Sequence, residues 1–394
     1  MISVEQALAH ILDLFDPLEV EEVPIADAAG RVLANNITAT HNQPPFAGSA
    51  MDGYAVRNAD IATGANLTVI GESAAGTRFD GDVKAGQAVR IFTGAPVPDG
   101  ADRILIQEDC TRDGDTITVS DNIDTQLYIR PAGGDFSIGD KVSAPLELGT
   151  NAISLLAAMN IGTVPVRRKP IIALVPTGDE LVYPGAPLPA DRICSSNNLG
   201  LKAMVEAAGG EARLLPIARD NEAALRTVLD LCEGVDAIVT MGGASVGDHD
   251  LIGHMAQSAD METSFYKVAM RPGKPLMAGR YNNIPLIGLP GNPVSSIVCG
   301  HIFLRPALNA MLGLGKKALT RETAILTQDI KPNGPRAHYM RAISGLVDGN
   351  PTCTLFDRQD SSLLSILAQA NILMLRAPND PARKAGDKVE IIRI

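Results

Sequence analysis

The chain has 394 residues, 45% of them apolar and 20% charged, with a mean hydropathy of +0.09. This is too long for one ordinary core, implies roughly two to four domains, and excludes a largely disordered polymer. Forty-five acidic against 34 basic residues give a net charge of −11, which argues against nonspecific nucleic-acid binding. An anionic small ligand stays open, because loops and a metal ion invert a field locally.

Ser3-Val4-Glu5-Gln6 reads as a capping box, and Ala7, Leu8, Ile11, Leu12 and Phe15 behind it follow a helical period that Pro17 should stop. Between about 45 and 143 the character changes to short β-rich runs over 67–70, 88–92, 103–106 and 116–119, separated by Gly, Pro and Asp turns. A short helix over 153–159 follows, so the β unit reads as an insertion in an N-terminal platform spanning 1–166. Arg167-Arg168-Lys169-Pro170 reads as a linker. After it the rhythm is β-α-β, with strands over 171–175, 212–215, 235–240 and 284–289 and helices over 199–208, 222–232 and 294–304. Continuous apolar strands alternating with amphipathic helices predict a doubly wound, mostly parallel α/β domain over 167–312. Past a second boundary at 313–317, strands over 323–330, 339–344, 352–356, 372–375 and 388–394 predict a small C-terminal β-barrel over 318–394.

No apolar run approaches the roughly 20 residues of a membrane span, and Met1 to Glu5 lacks the opening of a signal peptide. The five cysteines are scattered with no CxxC pair, so neither a disulfide framework nor a zinc site is favoured, and a reducing cytoplasm fits best. His249 and His254 are spaced poorly for one helical face.

Open parallel sheets bind ligands at the carboxyl ends of their strands. Three such ends carry special loops here: Pro176-Thr177-Gly178-Asp179-Glu180-Leu181, then Thr240 to Asp250 with Gly242, Gly243 and Ser245, then Leu289-Pro290-Gly291-Asn292-Pro293. Glycines admit an anion to backbone N–H groups, and the helix N-termini that follow favour it. Carboxylates beside such a cradle (Asp179, Glu180, Asp248, Asp250) suggest magnesium. A tight turn explains any one of these loops; three on one sheet favour a phosphate-bearing ligand. Lys267, Arg271 and Lys274 form a basic stretch stiffened by Pro272, Gly273 and Pro275, which suits an anion or an ordinary charged turn. Upstream, Asp52 in Met51-Asp52-Gly53-Tyr54, the turn after Thr93, and Arg130 to Asp135 are further candidates. Asp52 and Asp135 read as a second metal or acid/base pair if the chain brings them together.

Taken in order, these motifs resemble those of the MoeA family of molybdopterin molybdenumtransferases, which includes the E domain of gephyrin. The matching segments are Met51–Ala55, Thr93–Pro96, Arg130–Asp135, Pro176–Leu181, Gly242–Gly247 with Asp250, Pro272–Pro275 and Leu289–Pro293. The resemblance implies a homodimer built from an N-terminal platform with an inserted β domain, a central molybdopterin-binding domain and a C-terminal barrel. It also implies the reaction, insertion of molybdate into the dithiolene of adenylylated molybdopterin with Mg2+-dependent release of AMP, in a cleft shared between subunits. Other proteins of molybdenum cofactor biosynthesis would be its partners.

Carried over by position, the resemblance implies catalytic roles for Asp52, Asp135, Glu180 and Asp250, with Asp52, Glu180 and Asp250 as metal ligands. It implies substrate contacts from Thr93, Arg130, Thr177, Gly178, Gly242, Gly243, Ser245, Lys267, Arg271, Lys274, Pro290, Gly291, Asn292 and Pro293, and on a looser match Arg341 and Ser361. The chain departs from the family pattern at Met241, where a hydroxyl residue is common, at Arg271 for lysine, and at Asp248 for glutamate. Adenylylation of molybdopterin and a noncatalytic scaffold are the competing readings.

Overall fold

A computed structural model of the chain describes residues 1–242 and 261–394. The capping box forms as the sequence predicts: the Ser3 hydroxyl accepts from the Gln6 amide while the Gln6 side chain accepts from the Ser3 amide. The helix it opens, Val4–Leu12, ends with Asp13 as its cap, before Pro17 is reached. Its buried stripe (Val4, Ala7, Leu8, Ile11, Leu12) packs into a core that also holds Leu174 and Val239 of the central sheet and Tyr339 and Leu373 of the barrel.

An antiparallel sheet in the order Val20–Pro24, Thr163–Arg167, Val32–Leu33, Leu146–Glu147 packs against the helix Thr150–Ala158 through Leu33, Leu148, Leu156 and Val166. From this platform the chain leaves and returns along one ribbon. Ile37–Thr38 pairs with Lys141–Val142, Gln43 bridges Phe136, and Gly48–Ser49 pairs with Ile129–Arg130. The ribbon leads to a six-stranded sheet ordered Arg103–Ile106, Gly53–Val56, Gln87–Ile91, Asn66–Ser73, Thr116–Val119, Cys110–Asp113.

The central sheet runs Glu211–Leu214, Ile171–Pro176, Ala237–Met241, Ile284–Leu289, Met277–Tyr281, Met261–Tyr266. Its first four strands are parallel. Along Ile171–Pro176, Ile172 and Leu174 enter one core while Ala173 and Val175 enter another, the period of two expected of a strand covered on both faces. The last two strands are antiparallel, an addition to the parallel pattern read from the sequence. The hairpin turns at Asn282 and Asn283, both at positive φ (46° and 67°), the conformation a two-residue hairpin loop demands. The helix beginning at Pro293 also runs past the predicted end at 304. A π-helical segment, Gly300–Leu304, carries it into Arg305–Met311.

The segment Arg167-Arg168-Lys169-Pro170, read from the sequence as a linker, is tied down. The Arg168 guanidinium donates two bonds to the Asp236 carboxylate (2.7 and 2.6 Å) and a third to Glu19. Five strands (Ala337–Val347, Asn350–Leu355, Glu322–Leu326, Lys388–Arg393, Ile372–Arg376) pair in that order and close on themselves through Ala337–Val347 with Ile372–Arg376, forming the predicted barrel. Met270–Arg271 adds in parallel to the barrel at Ala337 and His338, and Ile2 bridges Val268, so three parts of the chain meet on the basic stretch. Among the described residues no helix is long and apolar enough to cross a membrane.

Candidate active site

The strand ends of the central sheet open into a cleft of about 580 Å3. Its lining includes Thr177, Gly178, Glu180, Gly242, Pro275, Pro290, Gly291, Asn292 and Pro293. The three loops singled out in the sequence are bonded edge to edge. The Thr177 amide and hydroxyl donate to the Met241 carbonyl (3.0 and 3.3 Å), and the Gly242 amide donates to the Leu289 carbonyl (3.1 Å). Glycine is required at the seam: Gly242 has φ +101°, and a Cβ there would lie 2.7 Å from both the Thr177 carbonyl and its hydroxyl. Gly243, Ser245 and Asp250 lie outside the described residues, as do Asp248, His249 and His254.

Two helix starts border the cleft. The helix Asn197–Ala207 is preceded by Ser196 and the helix Pro293–Cys299 by Asn292, and neither cap side chain accepts from a backbone amide of its own helix. The first N–H groups of the helix Asn197–Ala207 therefore keep their partial positive charge for something else, whereas the second helix begins on Pro293, which has no N–H, and its Val294 amide is already bonded. Asn197 Nδ2 instead donates to the Gly291 carbonyl (2.7 Å), joining the two starts.

Glu180 and Asp220 bring carboxylates to the same cleft. Asp179 turns aside: its oxygen accepts from the Asp220 amide (3.3 Å) and its backbone carbonyl from Arg219 (3.0 Å). The basic stretch reaches the cleft through Pro275. Lys267, at φ +73°, lays its ammonium 4.5 Å from the Tyr266 ring centroid, Arg271 is exposed and Lys274 half-buried.

Ser361 arrives from the barrel. Its hydroxyl accepts from Asn292 Nδ2 (3.3 Å) and its carbonyl from the Val294 amide (3.2 Å). The loop that carries it is held by Arg341, which is 2% exposed and donates to the carbonyls of Asp360 (2.8 Å) and Leu363 (3.4 Å). Gln359 completes the clamp, its amide pairing with both the N–H (3.0 Å) and the C=O (2.9 Å) of Arg341. Burial pulls the Arg341 guanidinium below its usual pKa, against the pull of nearby Asp360.

The upstream motifs form a second group. The Thr93 amide and hydroxyl both donate to Oδ1 of Asp52 (2.7 and 2.8 Å), and these bonds hold its carboxyl below the ordinary range. Arg130 pairs with Gly48 across the ribbon, and the Asp135 amide donates to the Gln43 carbonyl (2.9 Å). Among the described residues no hydrogen bond or ion pair joins Asp52, Thr93, Arg130 or Asp135 to the central cleft, and no three His, Cys, Asp or Glu side chains converge as metal ligands.

Sequence reading missed Cys194, Ser195, Ser196, Asn197 and Asp220 in the cleft, and Gln359 behind it. One signal was present. Ser196 opens a helix but has Leu199, not Glu or Gln, three residues on, so no capping box occupies that end.

Three family profiles match in succession: "MoeA N-terminal region (domain I and II)" over residues 2–160, "Probable molybdopterin binding domain" over 173–310, and "MoeA C-terminal region (domain IV)" over 323–394. The chain belongs to the MoeA family. It is 32% identical to a Haemophilus influenzae protein named molybdopterin molybdenumtransferase, across 99% of this chain and 98% of that one. It is 33% identical to molybdopterin molybdenumtransferase 2 of Mycobacterium tuberculosis, across 99% of each. The crystal structure of the molybdopterin biosynthesis MoeA protein from Pyrococcus horikoshii OT3 superposes with a TM-score of 0.84 at 26% identity, covering 100% of both chains.

Proposed function

We propose that the chain is a molybdopterin molybdenumtransferase. It takes adenylylated molybdopterin and molybdate, delivers molybdenum to the dithiolene, and releases AMP with the help of Mg2+. The observation that carries this reading is the cleft where the loops at Thr177–Gly178, Gly242 and Pro290–Pro293 lock together beside the start of the helix Asn197–Ala207, whose backbone amides no cap side chain takes. Such a cradle suits the phosphates of an adenylate.

The donor chemistry fits magnesium. Glu180 and Asp220 line the cleft with oxygens only, the hard ligands this ion takes. Asp52 keeps an ionised carboxylate, and the family resemblance names Asp250 as a further ligand. When bound, the ion would neutralise charge on the phosphoanhydride and stabilise the departing phosphate. Lys267, Arg271 and Lys274 would steer and hold the oxyanion by charge-assisted hydrogen bonds. Thr93 keeps Asp52 oriented and ionised, and Ser361 holds Asn292 at the cleft wall. No protein nucleophile is needed, because the dithiolene sulfurs capture the metal.

The reading includes a cytoplasmic homodimer in which Asp52 of one subunit faces the Gly242 cleft of the other. It divides the chain at 1–166 (β insertion 45–143), 167–312 and 318–394. The test supplies purified protein with adenylylated molybdopterin, molybdate and Mg2+, and follows AMP and protein-bound molybdenum. Equal amounts of both are expected; adenylate that stays bound and intact after molybdate is added would refute the activity.

A further inference from the structure

We infer that Arg90 is a positioning residue for Asp52: its guanidinium, caged between Tyr54 and Phe92, ties down the turn that presents the carboxylate. The inference rests on the proposed role of Asp52.

Arg90 lies opposite Tyr54 in the pairing of Gly53–Val56 with Gln87–Ile91. Its Cζ sits 5.2 Å from the Tyr54 ring centroid and 4.8 Å from that of Phe92, so both rings contact a cation. Held there, Nη1 donates to the Gly53 carbonyl (3.1 Å) and Nη2 to Oε1 of Gln107 (3.1 Å). The Gln107 amide in turn donates to the Asp52 carbonyl (3.2 Å). The carbonyls on either side of Gly53 are thereby fixed, that of Gly53 directly and that of Asp52 through Gln107.

The restraint is needed just before the strand, because Gly53 is paired with Ile91 and Ile106 whereas Asp52 precedes the first rung. No side chain can replace Gly53: a Cβ there would stand 2.1 Å from the Leu105 carbonyl oxygen. Thr93 holds one oxygen of the Asp52 side chain, but that grip needs the Asp52 backbone to stay within reach. Among the described residues Arg90 makes no ion pair with a carboxylate, so its charge is left to act on Asp52 as well. A lysine would keep the charge and lose both the two-pronged donation and much of the stacking.

The experiment compares Arg90→Lys and Gln107→Ala with wild type in three measurements: Tm, amide exchange in the peptide containing Thr93 and Gly94, and kcat and KM for adenylylated molybdopterin. Arg90→Lys is expected to leave KM within about twofold, lower kcat about tenfold and speed Thr93 exchange about fivefold. Gln107→Ala is expected to move the same quantities less. Unchanged kcat and Thr93 exchange would overturn the inference, as would a lowered Tm with exchange raised equally over the whole β sheet. Asp52→Ala separates the two readings. If it turns over like wild type, the role of Asp52 fails; if it is inactive while Arg90→Lys is normal, only the role of Arg90 fails.

Discussion

Asn292 Nδ2 donates to the Ser361 hydroxyl across 3.3 Å, and this bond joins the third loop of the cleft to the barrel. Behind Ser361 the load falls on Gln359 and the buried Arg341. Removing Gln359 strips Arg341 of an acceptor in a place water does not reach. Gln359→Ala should cost about 2–3 kcal/mol in urea unfolding and weaken adenylate binding, whereas Asn292→Ala should weaken binding at a cost of about 1 kcal/mol or less. Equal effects of the two on stability would contradict the clamp.

Gly242→Ala should disable the cleft and spare the core. The added methyl meets the Thr177 carbonyl and hydroxyl at 2.7 Å and occupies a φ of +101°, a strain of about 1–3 kcal/mol. Calorimetry should find adenylate affinity reduced by more than tenfold, with far-UV circular dichroism unchanged.

Stability should fall on mild acidification. Burial first, then Arg305, pulls the His301 ring down to about 4, and its Nδ1 has no partner. His338 is also pulled to about 4, by burial and then by Arg271, Arg376, Arg341 and Arg336. Both rings stay neutral in the folded chain while the unfolded chain takes up protons near 6.5. The contribution is therefore complete above about pH 6.5 and is lost as pH falls towards 4, up to about 3 kcal/mol per ring. Urea midpoints measured between pH 7 and 4.5 should show the decline, and His338→Asn should flatten it.

One thiol should react fast. Cys194 is exposed and lines the cleft, whereas Cys232, Cys299 and Cys353 are buried and Cys110 is half-buried. Burial pushes Cys110 and Cys232 up to about 11, Cys353 up to about 12, and Cys299 up as well. At pH 8 a disulfide reagent should therefore label one thiol per chain about a hundredfold faster than the rest. Cys194→Ser should remove that phase, and saturating AMP should slow it. Labelling unaffected by AMP would place the nucleotide elsewhere.

The sequence announces what depends on local chemistry. Apolar runs such as Ile284–Leu289 became strands at their predicted bounds, because a strand covered on both faces admits little else. The Gly-bearing strand ends gathered at one cleft for the topological reason that parallel strands put their carboxyl ends on one side. What stayed hidden is nonlocal. Asp220 reaches the cleft because Glu211–Leu214 pairs beside Ile171–Pro176, and Gln359 matters because a barrel closes over a buried guanidinium. Neither residue carries that information in its neighbours. The antiparallel edge hairpin went unread, although the Asn282-Asn283 pair carries its turn chemistry.

The ribbon through residues 37–49 and 129–142 has a practical consequence. Outgoing and returning segments are laddered to each other, so one backbone break in the exposed 84–86 stretch would divide the sequence without dividing the molecule. The nicked halves should copurify. The same stretch is then a natural place for new chain ends in a circular permutant, with the Asp52 turn still anchored at the far end of its double tether.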